Sequence, residues 1–336
     1  MAVGSGVGSQ VGVAVESVYG TYVAPTRFYE VTKASVAKVK NTADWDGLAA
    51  GRLTNRADGR VVTSKAATGT IDELVVTDRD MGILLNLIMG GTVTPAGQGT
   101  SPIAYMDTFP LVDTVGKMAT VQSGVPLIGG SVIPQSALGC KVTSAEFSCG
   151  VDDLLTVAVN FDGRDLTEAQ SLAAASFGSP RKPFNFAQMG VKLGATVGGV
   201  AAVGGVRKCS VKIERALKTD QFYANNAGLK EQPTTNDKVK ITGSLEVDYK
   251  TAADFADRFR DDTQASLVWE FLGAQINTLP SISTFRATIP ALFFDTGTPG
   301  VDGPDVVNTT FNWTAYDDLS TGYPAKIEYL TADSAL

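Results

Sequence analysis

From Val239 to Tyr249 apolar and polar residues take turns along the chain. Val239, Ile241, Leu245, Val247 and Tyr249 fall on one side, and Lys238, Lys240, Thr242, Ser244, Glu246 and Asp248 on the other. A period of two with one apolar side predicts a strand in a sheet covered on one face only. Ile71, Glu73 and Val75 against Thr70, Asp72 and Leu74 give the same period less cleanly. Both segments lead into a short amphipathic stretch. Thr77 or Asp78 is placed to cap a helix in which Met81, Leu84, Leu85 and Ile88 form one stripe, ended by Gly90-Gly91. Thr251 is placed to cap a second, with Phe255 and Phe259 one turn apart. Two strand pairs with polar turns read as hairpins: Cys140–Phe147 with Leu155–Phe161, and Asn308–Ala315 with Lys326–Tyr329.

The pattern occurs twice. Ala67-Thr68-Gly69-Thr70-Ile71-Asp72 echoes Ile241-Thr242-Gly243-Ser244-Leu245-Glu246, and Ala34-Ser35-Val36 echoes Cys209-Ser210-Val211. In each case strand, long loop, TG-containing strand and short helix follow in that order, which predicts a duplicated domain. The fold expected is mainly β with short helices, a β-rich α+β chain of two tandem antiparallel β-sandwich or barrel domains at 31–165 and 184–336. An N-terminal arm (1–30) precedes them, and an Ala/Ser-rich linker (166–183) joins them, with a helix possible at Leu166–Ala175.

Composition narrows the chemistry. The chain has 336 residues and no His, which removes imidazole-activated nucleophiles and most catalytic zinc sites. A net charge of −7 argues against tight DNA binding and does not forbid a surface past which DNA slides. Cys140, Cys149 and Cys209 make an odd number without framework spacing and read as reduced thiols. The N-terminus lacks a signal-peptide pattern and no apolar run is long enough to cross a membrane, so a soluble protein made in a cytoplasm is expected.

Candidate motifs fall to simpler readings. Gly4–Gly12 lacks the GK[ST] ending of a phosphate loop and reads as a flexible arm, and Gly194–Gly205 reads as a glycine-loosened hairpin. Asp152/Asp153, Asp261/Asp262 and Asp317/Asp318 sit in turn contexts, without a calcium-loop pattern or the separation a glycosidase needs. No catalytic, cofactor-binding or metal-binding residue is assigned.

The stretch from Gly8-Ser9-Gln10 through Glu16 and Tyr19-Gly20-Thr21 to Ala24-Pro25 resembles the opening of the tail tube (major tail) proteins of long-tailed bacteriophages. Tyr105–Phe109, Ala119–Gln122, Leu138–Ser144, Pro290–Phe294 and Val301–Asp305 follow in the order that family shows. The resemblance implies a structural virion protein rather than an enzyme, without cofactors. Two tube domains per chain imply a pseudo-sixfold ring of three chains, with rings stacked into a tube for DNA ejection. The implied partners are other copies of the chain, a tape-measure protein, tail-tip and terminator proteins, and viral DNA passing without specific binding. Asp72, Glu246 and Asp248 are the candidate lumen-facing residues, an outer solvated face being the alternative. Gly8, Gln10, Glu16 and Tyr19 are the candidates for an arm joining one ring to the next. A ring protein of a contractile injection or secretion apparatus shares the domain and stays open as an alternative. A carboxylate-dependent glycan hydrolase is a distant one.

Overall fold

The computed structural model describes residues 6–99, 103–127, 130–178, 180–248, 255–277, 281–298, 300 and 307–336. The first half runs β1 (Gln10–Val15), β2 (Arg27–Tyr29), β3 (Lys33–Ala43), β4 (Val61–Val75), α1 (Gly82–Met89), β5 (Ala96–Gln98), β6 (Ala104–Pro110), β7 (Ala119–Pro126), β8 (Val132–Gly150), β9 (Thr156–Gly163) and β10 (Asp165–Thr167). The second runs β11 (Met189–Gly194), β12 (Ala201–Ala202), β13 (Val206–Glu214), β14 (Leu217–Lys218), β15 (Thr234–Thr235), β16 (Lys240–Asp248), α2 (Ala256–Arg260), β17 (Ala265–Gln275), β18 (Ile282–Thr296), β19 (Asn308–Tyr316) and β20 (Lys326–Thr331). The fold is mainly β, all strand pairs are antiparallel, and the sheets do not close into a barrel.

Two four-stranded runs have the same order and register. In β3-β4-β9-β8, Gly69 lies between Val36 and Phe161. In β13-β16-β19-β18, Gly243 lies between Val211 and Trp313. At both glycines a methyl group would collide with the ring on the next strand, Phe161 or Trp313, and with a carbonyl on the preceding one, Ser35 or Ser210. The absence of Cβ lets the ring lie flat on the sheet, so the TG phrase of the sequence is a packing device.

Two long strands each serve two sheets. Val132–Cys140 of β8 pairs with β7, which pairs with β1, whereas Lys141–Ser148 pairs with β9. The crossing falls at Gly139, whose φ of +63° an L side chain resists. Likewise β18 pairs first with β17, which pairs with β11, and then with β19. The space between sheets is filled by aromatic and aliphatic side chains and closed by α1 and α2. It is continuous between halves: Phe147 of β8 meets Phe285 of β18 at 5.4 Å, and Phe184 packs on Phe271 and Phe285.

Several local expectations need correction. Strands β19 and β20 are not a hairpin, because β18 runs between them and pairs with both; β20 also pairs with β6. Leu166–Ala175 contains no helix, since Leu166 is buried in β10 against β8. In β4 the alternation breaks at Glu73, whose φ of +53° accompanies a bulge, so Leu74 rather than Val75 turns into the core. Neither Thr77 nor Asp78 caps α1: the Thr77 hydroxyl donates to Arg79 O and the Asp78 carboxylate accepts from Lys182 N. Thr251, Tyr249 and Val301–Asp305 lie outside the described residues. The alternation of β16, the β8–β9 hairpin and the β11–β12 hairpin are as expected.

Candidate assembly surfaces

The two four-stranded runs are joined edge to edge. Ser144–Gly150 of β8 pairs with Glu214–Lys208 of β13 on one side, while Ser144–Ser148 pairs with β9 on the other. Eight strands thus make one sheet whose polar side continues across the join. It is lined in part by short side chains that bond one another: Asn160 to Ser144 at 2.9 Å and Ser210 with Ser244 at 2.8 Å near the join, and Asn312 to Thr296 at 2.8 Å at one end. The opposite side is the core, so the strand period alone sorts wet from dry.

All three candidate lumen residues lie on the polar side, and each has a cationic neighbour. Asp72 is 3.4 Å from Lys33, Glu246 3.8 Å from Arg207, and Asp248 3.5 Å from Arg207. Glu246 also accepts from Asn308 at 3.0 Å. Lys212 and Glu214 form a further pair at 2.5 Å. The face is therefore one of mixed, locally matched charge rather than bare negative charge. Exposed pairs of this kind add little stability, but they leave little field for a polyanion to feel. Arg207 was not legible as their partner, because a bulge between Val206 and Lys208 takes it out of the alternation.

Among the described residues the two ends of this sheet are open. Strand β3 pairs with β4 alone, and Phe293–Thr296 of β18 pairs with β19 alone. Open edges are templates for further pairing. Beside one end, the loop 44–60 carries Trp45, Leu48 and Leu53 with their side chains in solvent.

The join inside the chain is locked by the other long loop, 215–239. Arg215 is buried and donates to Ile88 O and Val112 O, closing the C-terminal end of α1. Burial lowers its pKa to about 10. Buried Lys230 meets Asp162 at 2.5 Å, buried Lys141 donates to Pro233 O, and Arg164 donates to Asn226.

The candidate arm residues lie in or against the first half of their own chain. Gly8 ends a single 3-10 turn beside Pro126. Gln10 opens β1 and donates to Ala173 O at 2.6 Å. Glu16 is buried, accepting from Gly20 N, Thr120 Oγ1 and Gly139 N, so it clasps the kink of β8; burial outweighs these bonds and raises its pKa. Tyr19 packs over Gly139 and under Arg164. Within 1–30 the described residues ahead of the first strand are thus 6–9.

The acidic pairs occupy turns: Asp152 and Asp262 have positive φ, and Asp318 accepts from Ser320 N and Thr321 N. All three cysteines are free and buried, and burial pushes their thiols up, Cys149 to about 11. Among the described residues no cluster of metal-ligating side chains occurs, and no helix is long and apolar enough to cross a membrane.

A continuous polar face with two open sheet ends offers edges that further strands can extend. The family model for phage tail tube proteins matches residues 6–315, and the chain belongs to that family. It is accordingly a structural protein of the phage tail. No curated protein matches the sequence.

Proposed function

We propose that the chain holds two equivalent tube units, in the first half and the second, and that three chains close head to tail into a pseudo-sixfold ring. Rings stack around a tape-measure protein, between tail-tip and terminator proteins, into the conduit for DNA ejection. The observation that carries this reading is the β8–β13 join. If the two runs are equivalent, Thr296 at the end of β18 corresponds to Ser144 of β8, and β3 corresponds to β13. The seam between chains then begins at the end of β18 of one chain and meets β3 of the next, a heterologous contact that closes by rotation. The polar face, with Asp72, Glu246 and Asp248 among its paired charges, becomes the lumen wall. Short hydroxyls and a mixture of both signs give DNA no strong net field, since Lys33, Arg207 and Lys212 of this face each stand beside a carboxylate. Stacking contacts fall to residues 6–9 and the loops, with Gly8 and Gln10 at the base of the arm, while Glu16 and Tyr19 hold that base in place.

Negative-stain microscopy tests this directly: trimeric rings or tubes are expected, and only monomers, even beside tail assembly partners, would sink it. Proline at Ala37 and, separately, at Lys38 sharpens the test. Successive N–H groups of a strand point to opposite edges, so one of the two variants keeps the β3–β4 ladder and blocks only the open edge. That variant is expected to stay a folded monomer that forms no rings.

A further inference from the structure

We infer that the cleft at the end of the second half, between the start of β16 and the β19–β20 turn, is the socket for the loop 44–60 of a second copy of this chain. The inference rests on the ring reading and deepens it from a backbone seam to a side-chain lock.

The chain contains a filled version of this socket. The loop 215–239 joins β13 to β16 and crosses the join onto the first half. There Lys65 N donates to Gly228 O, and Asp162, Arg164 and Lys141 take Lys230, Asn226 and Pro233 O respectively. The matched registers carry each contact point to the second half. Lys141 faces Asp162 as Phe293 faces Thr314, so Arg164 corresponds to Tyr316 and Lys65 to Val239. Val239, Thr314 and Tyr316 line a cleft of about 810 Å³ whose wall also has the apolar Leu111, Ile241, Leu319 and Pro324, and whose lining includes the charged Asp113, Asp237, Lys238, Lys240 and Asp317. Among the described residues nothing fills it. The loop that corresponds to 215–239 is 44–60, which joins β3 to β4 at the opposite open end; the side-chain contacts found for it are internal, Asn55 with Asp46, and Arg56 with Asp58 and over the Trp45 ring.

Loop and socket change character together. Where the filled socket offers Asp162, Arg164 and Lys141, the occupant brings Lys230, Asn226 and a carbonyl. The empty one offers Phe293 against Tyr316 at 5.5 Å, with Tyr316 half exposed and Leu319 90% exposed. Its proposed occupant brings Trp45, 64% exposed, and Leu48 and Leu53, both fully exposed. Apolar side chains left in water at both places are the two halves of one buried contact. Aromatic and leucine anchors entering a preformed cleft are where interfaces concentrate their affinity.

The test uses full-length chains of two masses, one carrying Leu48→Cys and the other Leu319→Cys, co-assembled and treated with a flexible bismaleimide. The native thiols are buried and do not compete. A covalent heterodimer is expected in assembled material and not in dilute monomer, and not when Leu319→Cys is replaced by Val18→Cys, an exposed control. Rings or tubes without the Leu48–Leu319 heterodimer would overturn the socket and leave the ring standing. Wild-type protein that never forms rings would remove both. As a second measure, joint replacement of Trp45, Leu48 and Leu53 by Ser should leave the monomer's melting temperature unchanged. It should raise the concentration needed for assembly about tenfold or more; an unchanged concentration counts against the socket.

Discussion

Asp107 is the residue on which the fold leans least comfortably. It sits on β6 opposite Tyr329, is 1% exposed, and its Oδ1 has no hydrogen-bond partner. Burial, reinforced by the nearby Asp333 carboxylate, raises its pKa from 3.8 to about 6. The folded protein therefore holds this proton more tightly than the unfolded chain does. The contribution to stability is full below about pH 4, falls as pH rises through 6, and amounts to roughly 2–3 kcal/mol. Asp107→Asn should melt higher than wild type at pH 7.5, and the difference should shrink toward pH 4. Equal melting temperatures at pH 7.5 would contradict the assignment. Glu16 is buried too and its pKa is likewise raised by burial, but three donors offset part of that cost, whereas Asp107 Oδ1 has none.

Among the elements, the central strands of the two runs depend most on a missing side chain. Gly69→Ala and Gly243→Ala each push a methyl into a ring and a carbonyl, and should cost about 1–3 kcal/mol by overpacking. Pairing Gly243→Ala with Trp313→Leu should recover part of the loss, measured by denaturant melts; strict additivity would contradict a shared contact. Strand β16 was legible in the sequence because its period of two runs unbroken, and the glycines were legible as an echo, though not as seats for rings. The faces of β4 were not, since the bulge at Glu73 shifts the phase and no composition signal announces a positive φ there. Nor was the place of β20: it is separated from β19 by a polar turn, but the partner that captures it is β18. Sequence proximity suggests a hairpin, while burial of Ile327 and Tyr329 against the core decides otherwise.

For the molecule as a whole, the offset between echoing phrases pointed to the two strand runs of like order, and the contacts that tie those runs together were not readable at all. A chain-distant arginine closing a helix leaves no local signature. Arg215→Met should cost about 3 kcal/mol, because Ile88 O and Val112 O lose their donor inside the structure. The loss should appear as lower stability of the entire fold, read as one cooperative transition at lower denaturant. A separate early transition of the second half alone would argue that the join is not built in. The candidate surfaces were half legible: the polar strand face stood out, whereas its counter-charges and the exposed loop 44–60 came only with the structure.

The join between β8 and β13 also bears on how the proposed ring would count. If every second seam is made within a chain, units would be added only in pairs. A ring one unit short or one unit over would then have no route of assembly, and the nearest miscounts, four and eight units, would demand a much larger change of curvature at every seam. Linking the units would also keep each at high local concentration beside its partner, so that only the seams between chains would depend on dilution. Under the ring proposal, parity enforced by a covalent tether would act as an error check on the bore of the tube.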